Sequence, residues 1–314
     1  MRSVLILSLL ATAALAADGF RFEAVSEKSL GLWEGTKPVL VYNHGVISKP
    51  GVPARYNRAC YVHPLYGLDG EVLTDDFPRD HRHHRGVFWA WPHIRIEGKE
   101  YNSWIPAGIT DRHIEWVRRQ ALDDKAIIET RNGWFVGDKK VMDERLVIVV
   151  HRATAQSRAI DFTLTWTPTD KPITLWGAKG KSYGGFTVRF NTRPAEKNRI
   201  PANKVVITVP AGITKRDLAV KRLPWADFTA PFPGASGVSG LALFIHSSHP
   251  DYPPTWLTRH YGCLCVGWPG VEPKTVAPGK TVTCRYRLWV HRGQPDLPTL
   301  EKAYKEYLQA TPGQ

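Results

Sequence analysis

The sequence is poor in the signatures by which an activity usually announces itself. It has no Gly-x-Ser-x-Gly elbow for a serine nucleophile, no phosphate loop and no dinucleotide fingerprint. No isolated pair of carboxylates marks a glycosidase, and no internal repeat or linker divides the chain. Beyond the N-terminus no apolar run approaches the ~20 residues of a membrane span, so no span is expected. Cysteine is scarce, with Cys60, Cys263, Cys265 and Cys284 in 314 residues. A chain of that length buries a core without disulfide staples. Cys263 and Cys265 share one face of a strand and are badly placed to pair with each other. A hairpin turning between Lys274 and Thr275 would set Cys265 opposite Cys284; unpaired core thiols are the alternative. Acidic residues are outnumbered, 29 against 42 Lys and Arg, for a net charge of +13. Such a surface attracts nucleic acid, anionic lipid or acidic polysaccharide, or is functionally silent. With no helical basic stripe and no nucleic-acid motif, nucleic acid is not an expected partner.

What is present begins with Met1-Arg2, an apolar run from Val4 to Leu10 and a close on Ala11-Thr12-Ala13-Ala14-Leu15-Ala16-Ala17. A positive start, a short apolar core and an Ala-x-Ala end are the parts of a secretory signal peptide. Residues 1–17 are read as that signal and 18–314 as one domain of a periplasmic or secreted protein. An acidic glycan or cell-wall polymer suits that compartment.

Strand signals dominate the rest. Val282, Cys284, Tyr286, Leu288 and Val290 alternate with Thr283, Arg285, Arg287 and Trp289, and 159–166 is equally rich in β-formers. Further strands are expected at 39–42, 126–130, 146–150, 186–190, 205–209 and 241–245. Gly and Pro turns separate them, including Asn132-Gly133 and Pro278-Gly279. The expected fold is all-β, a large antiparallel β-sandwich. One helix closes the chain. Leu300, Ala303, Tyr304, Tyr307 and Leu308 fall on one stripe, with Asp296 as N-cap and Pro298 in the first turn.

The strongest local feature is Arg79-Asp80-His81-Arg82-His83-His84-Arg85, with three His and three Arg in seven residues. If extended, His81, His83 and Arg85 share one face. His-x-His can ligate metal, but no Glu follows at cupin spacing and the arginines would repel a cation by roughly 5 kcal/mol at ~6 Å and an effective dielectric of about 20. No metal or cofactor is therefore assigned. His can instead exchange protons near neutral pH, Arg can grip a carboxylate or sulfate, and Asp76 or Asp80 can orient an imidazole. The plain alternative is a surface loop whose His and Arg bond to carbonyls.

Aromatic residues gather downstream: Trp91, Tyr101 and Trp104, with Asn102 among them, in a chain of 12 Trp. Trp faces suit sugar rings and Asn, His and Arg suit hydroxyls, although any single Trp is more often core. A second polar cluster holds His246 and His249, followed by Trp256, Arg259 and Tyr261; a third holds His63 and Tyr66.

At these clusters the chain resembles a bacterial family labelled PmoA-like, or "methane oxygenase PmoA". The matching stretches are Tyr61-Val62-His63-Pro64-Leu65-Tyr66-Gly67, Asp76-Phe77-Pro78, Asp80-His81, His83-His84-Arg85-Gly86, Gly184-Gly185-Phe186, His246 through Tyr261-Gly262, Tyr286-Arg287 and His291-Arg292-Gly293. A methane-oxidising membrane subunit needs several spanning helices, so the label is taken as inherited. The resemblance implies a β-sandwich of the galactose-mutarotase type, a fold that binds carbohydrate. The chain departs from the family at Arg82, where relatives carry Pro, and at Gly180-Lys181-Ser182-Tyr183, where they tend to carry an acid.

The resulting expectation is an exported protein that binds or acts on a carbohydrate or other small polyhydroxylated or anionic ligand, by hydrolysis, elimination or epimerisation. His81, His83, His84 and His246 would supply acid–base groups. His63, Tyr66, Arg85, Trp91, Asn102, Trp104, His249, Trp256, Arg259 and Tyr261 would hold substrate. A non-catalytic envelope binding protein and a metal-dependent enzyme are the alternatives. Export makes a direct prediction: N-terminal sequencing of the protein recovered from the cell exterior or periplasm begins at Ala17 or Asp18. A start at Met1 would contradict it.

Overall fold

The computed structural model describes residues 19–193 and 199–310; the expected signal peptide lies outside them. Among the described residues the fold is two nine-stranded antiparallel sheets, a small four-stranded sheet and one C-terminal helix. The first sheet runs, neighbour to neighbour, Phe20–Ser26, Ser29–Glu34, Lys37–Asn43, Tyr61–Leu65, Val87–Ala90, Gly185–Arg189, Cys263–Gly267, Thr255–Arg259 and Ala219–Arg222. The second runs Gly212–Ile213, Val206–Val209, Trp225–Ala230, Ser239–Ile245, Val282–Arg292, Ser157–Pro168, Lys139–His151, Lys125–Val136 and Thr110–Ala121. The small sheet runs Lys274–Val276, Ile173–Trp176, His93–Ile96 and Lys99–Tyr101.

Period-2 alternation builds the sandwich. In Ser157–Pro168, Ile160, Phe162, Leu164 and Trp166 are buried between the sheets while Asp161, Thr163 and Thr165 point away. The neighbouring strand adds Cys284, Tyr286, Leu288 and Val290 to the same core. The first sheet answers with Val62, Trp89, Phe186, Val188 and Val266. Ring stacking crosses the gap, Phe186 on Tyr286 at 4.4 Å and Phe190 on Phe228 at 3.9 Å.

A buried carboxylate joins the layers at one end. Glu144, 1% exposed, stands among Trp residues of both sheets. Its Oε2 accepts the indole N–H of Trp89 (2.8 Å), Trp134 (3.1 Å) and Trp166 (2.8 Å), and Oε1 accepts from Asn132 Nδ2 (3.0 Å). Trp89 belongs to the first sheet and the others to the second, so one side chain ties them together.

The helix Leu297–Gln309 is capped by Asp296, whose Oδ1 accepts the Thr299 N–H at 2.9 Å. Its buried Leu300, Ala303, Tyr304 and Tyr307 cover Trp225 and Phe244 on the outward face of the second sheet. The strands expected from alternation all form; most match within two residues at their ends, while 126–130 and 146–150 are parts of the much longer Lys125–Val136 and Lys139–His151. Other strands were not expected, among them three at or beside a sheet edge. Phe20–Ser26 and Thr110–Ala121 are edge strands with mostly exposed residues, and Ser29–Glu34 lies next to the first of them.

Of the two alternatives for the cysteines, the Cys265–Cys284 hairpin does not form: the two residues lie in different sheets, because Lys274–Val276 leaves to join the small one. All four cysteines are buried free thiols.

The Glu144 network generates a stability prediction. Glu144→Leu strands three indole donors at ~1–3 kcal/mol each before relaxation, so it is expected to cost on the order of 3–5 kcal/mol. Urea unfolding measures this; a loss under about 1 kcal/mol would show that the network contributes little.

Candidate functional site

On the outward face of the first sheet the register forms a row: Arg189 is paired with Cys263, and Cys263 with Arg259. The adjacent row is Phe88, Thr187, Cys265 and Leu257. Alternation that sends Trp89, Val188 and Leu264 into the core necessarily turns this set outward. It is covered in turn by loops, and Tyr61, Phe88, Ala90, Trp104, Leu257, Cys263 and Cys265 make a second, smaller apolar cluster.

The His/Arg segment crosses this face as a turn, not as the extended stretch expected. The His81 N–H bonds the Pro78 carbonyl at 3.1 Å and the His84 N–H bonds the His81 carbonyl at 2.8 Å. That turn stacks His81 on His84, with ring centroids 4.8 Å apart, and sets His83 edge-on to His84 at 4.7 Å. Gly86 ends the segment where a Cβ would stand 2.3 Å from the Val62 carbonyl oxygen, so only glycine lets the chain enter the sheet there. Tyr261 stacks on the other face of the group, 5.3 Å from His81 and nearly parallel to it. The chain then turns at Gly262, whose φ of +112° excludes an ordinary side chain. Trp104 closes a further side, edge-on to His84 at 5.3 Å and 4.8 Å from Tyr183. The amides of Ser103 and Trp104 both bond the Trp91 carbonyl and fix that wall.

The result is a cleft of about 180 Å³, lined by the three histidines, Trp104, Tyr183, Tyr261, Lys181 and Arg259 among others. Asp80 orders it. Arg189, fully buried, donates Nη2 to both Asp80 oxygens (2.9 and 3.2 Å), and Arg193 donates at 2.7 Å. His81 Nδ1 lies 3.1 Å from Asp80 Oδ2, close enough for an ion pair but too bent for a straight hydrogen bond. Burial works against the Asp80 carboxylate, yet His81 and Arg189 together hold it well below the usual range. Burial, reinforced by His81 and three arginines, pushes His83 down to about 3. Burial and then Arg189 hold His84 lower than an ordinary imidazole as well. Buried donors are left over: Arg189 Nε and Nη1 and His84 Nδ1 have no partner. Among the described residues no group of three or more His, Cys, Asp or Glu side chains is disposed to hold a metal ion.

A family model matches residues 32–305, the family of unknown function DUF6807. The chain belongs to DUF6807. No curated protein matches it. Among solved structures, this DUF6807 chain is similar to a putative kojibiose phosphorylase from human microbiome, at 10% identity and a TM-score of 0.40, covering 91% of this chain and 32% of that one. It is similar to a polysaccharide lyase at 12% identity and 0.34, covering 92% and 34%. It is similar to a GalM/aldose epimerase homologue from C. elegans at 11% and 0.35, covering 88% and 100%. It thus spans about a third of the first two. Overlap this slight carries nothing about the chemistry of the site.

Of the residues singled out in the DUF6807 sequence, His81, His83, His84, Trp104, Arg259 and Tyr261 come together. The others do not. Trp91 and Trp256, at 1% and 0% exposure, are core residues that no ligand can stack on. Arg85 is a strut: it donates to the carbonyls of Arg82 (3.0 Å), His84 (2.6 Å) and Tyr56, lies over the Phe77 ring at 3.5 Å and faces Asp76 at 3.4 Å. Asn102 Oδ1 accepts the Ile105 N–H at 2.7 Å and shapes the loop. His63 is held against Thr74 Oγ1 at 3.1 Å, and Tyr66 forms an isolated bridge with Val72; neither lines the cleft. His246 and His249 precede the Thr255–Arg259 strand, at the end opposite Arg259, where they meet Tyr307 and Tyr286. The three clusters expected to converge therefore reduce to the His segment and the Arg259–Tyr261 end of the second.

Sequence reading missed Arg189, Lys181 and Tyr183 as participants. Arg189 was findable. It is the only charged residue in Phe186-Thr187-Val188-Arg189-Phe190, and alternation puts it on the face opposite Phe186 and Val188.

The depressed His83 gives a pH prediction. Its folded value of about 3 against about 6.5 unfolded means that its contribution to stability is complete above about pH 6.5 and is lost as pH falls toward 3. In a proton NMR titration the His83 ring should stay neutral down to pH ~4. A midpoint near the unfolded value would contradict the burial and charge arrangement.

Proposed function

We propose that the cleft binds an anionic, polyhydroxylated small molecule of the uronic-acid class, and that His81 moves a proton on it. The observation that carries the reading is the Asp80–His81 pair, stacked on Tyr261 within a cleft whose surrounding cations outnumber its carboxylates. Lys181 and Arg259 line the cleft, and Arg189 stands behind it with two unpartnered nitrogens. The nearby carboxylates are already engaged: Asp80 with Arg189 and Arg193, Asp217 with His260 and, at 3.9 Å, with Arg259 Nε. An incoming carboxylate restores the balance, and charge-assisted hydrogen bonds to it are the strong kind. Trp104, Tyr183 and Tyr261 offer flat faces to a sugar ring.

Asp80 opposite Nδ1 favours the proton on that nitrogen and leaves Nε2 as the lone pair that can accept one. His83 and His84, held neutral, serve as hydrogen-bonding partners for hydroxyls rather than as proton carriers. Proton transfer of this kind serves elimination, epimerisation and hydrolysis alike. The reading goes with export, since acidic glycans are polymers of the periplasm and cell exterior, and the basic surface favours their approach.

A screen of uronic acids and oligouronides tests it, scoring binding by calorimetry and turnover by product analysis. Wild type is expected to bind and convert at least one. His81→Ala should lower kcat by about 10²–10⁴-fold, and Lys181→Met or Arg259→Met should weaken binding roughly ten- to a hundredfold. Binding without turnover would remove the acid–base role. Absence of binding to every uronide would overturn the reading.

A further inference from the structure

A second cleft, of about 520 Å³, lies across the 102–108 loop from the first. Trp104 and Ile105 line the first cleft, while Ser103, Pro106 and Gly108 line the second. Val46, Ile109 and Phe135 give the second cleft an apolar wall, and Asn57, Arg58 and Asp111 give it a polar one.

The three polar groups have capacity that the protein leaves unused. Arg58, 5% exposed, commits Nη2 to the carbonyls of Ser103 and Trp104 and lies over the Phe88 ring at 5.3 Å, yet its Nη1 has no partner. Asn57 Oδ1 is buried and likewise without a partner. The Asp111 carboxyl has no hydrogen bond among the described residues, and burial pushes it up to about 7 against the pull of Arg58. Buried groups left unmet, as Arg58 Nη1 and Asn57 Oδ1 are, cost free energy unless something fills them.

We propose that this cleft is a second binding site, for a neutral polyhydroxylated molecule such as a monosaccharide unit or a polyol, held by Asn57, Arg58 and Asp111. The chemistry selects the class. One fixed cation and one carboxyl balance each other, so a charged ligand would meet repulsion from one of them. A hydroxyl can donate to the Asp111 or Asn57 oxygen and accept from Arg58 at once. At the rim Arg112 is paired with Asp138, and Arg55, bonded to the neutral Tyr56 hydroxyl, keeps its charge at an exposed position where solvent screens it. Lys181, Arg259 and the histidines of the first cleft are not in this lining, so the site stands independently of the function proposed for that cleft.

Calorimetric titration of the full chain with D-glucose, D-galactose and sorbitol tests the site. At least one should bind. Asp111→Asn and Asn57→Ala, whose side chains make no internal hydrogen bond through the atoms removed or altered, should each weaken it by about tenfold or more, while His81→Ala stays within about twofold of wild type. Melting curves check folding, and Asn57→Ala carries the test if Asp111→Asn proves unstable. The site is refuted if none of the three binds, if binding ignores both substitutions, or if it disappears with His81→Ala and so belongs to the first cleft.

Discussion

A single buried carboxylate holds the sandwich in register beneath the candidate site. Glu144 gathers three indoles and an amide where the two sheets meet, and one of those indoles is Trp89. Trp89 lies in Val87–Ala90, the strand that leaves the His/Arg segment, and its neighbours Phe88 and Ala90 point to the opposite face, into the small apolar cluster that also holds Trp104, Leu257 and Cys263. An alternating strand cannot shift one face without shifting the other. Fixing Trp89 inside therefore fixes Phe88 outside, together with the Trp104 wall that packs on it at 5.3 Å. Buried polar networks of this kind favour one arrangement when every member is satisfied.

The site uses the same economy. Asp80 receives Arg189 from the sheet, Arg193 from the following loop and His81 from its own turn, so one carboxylate anchors the segment to the sheet and orients an imidazole. The segment's other charged residues divide between support and function. Arg85 holds the turn through carbonyls, while His83 and His84 are kept neutral by burial and by the arginines around them. The density of His and Arg thus serves two ends in the structure. Part of it is the loop's own framework, and part faces the cleft.

How much of this was legible in the sequence follows from where each residue's role is decided. Local alternation gave the central strands, and stripe and cap gave Leu297–Gln309, because those signals span neighbouring residues. The edge strands were not legible, since exposed polar residues on both faces erase the period. The His81 group stood out by composition, but its shape depends on hydrogen bonds within a turn, 78 to 81 and 81 to 84, that no spacing rule for strands contains. Trp91 and Trp256 looked like ligand platforms and proved to be core, because only the sheet decides which side of a strand a given Trp occupies. His246 and Arg259 look adjacent in sequence, yet a strand separates them. Arg189 lies more than a hundred residues from Asp80, a partnership that only the fold reveals.

The account rests most heavily on the first cleft being an anion-accepting sugar site ordered by Asp80 and His81. A crystal structure of the protein soaked with glucuronate tests that most directly. The account predicts the sugar ring between Tyr261 and Trp104, its carboxylate toward Lys181 or Arg259 and a hydroxyl or ring carbon next to His81 Nε2. Glucuronate bound elsewhere with this cleft empty, or none bound at all, would contradict it.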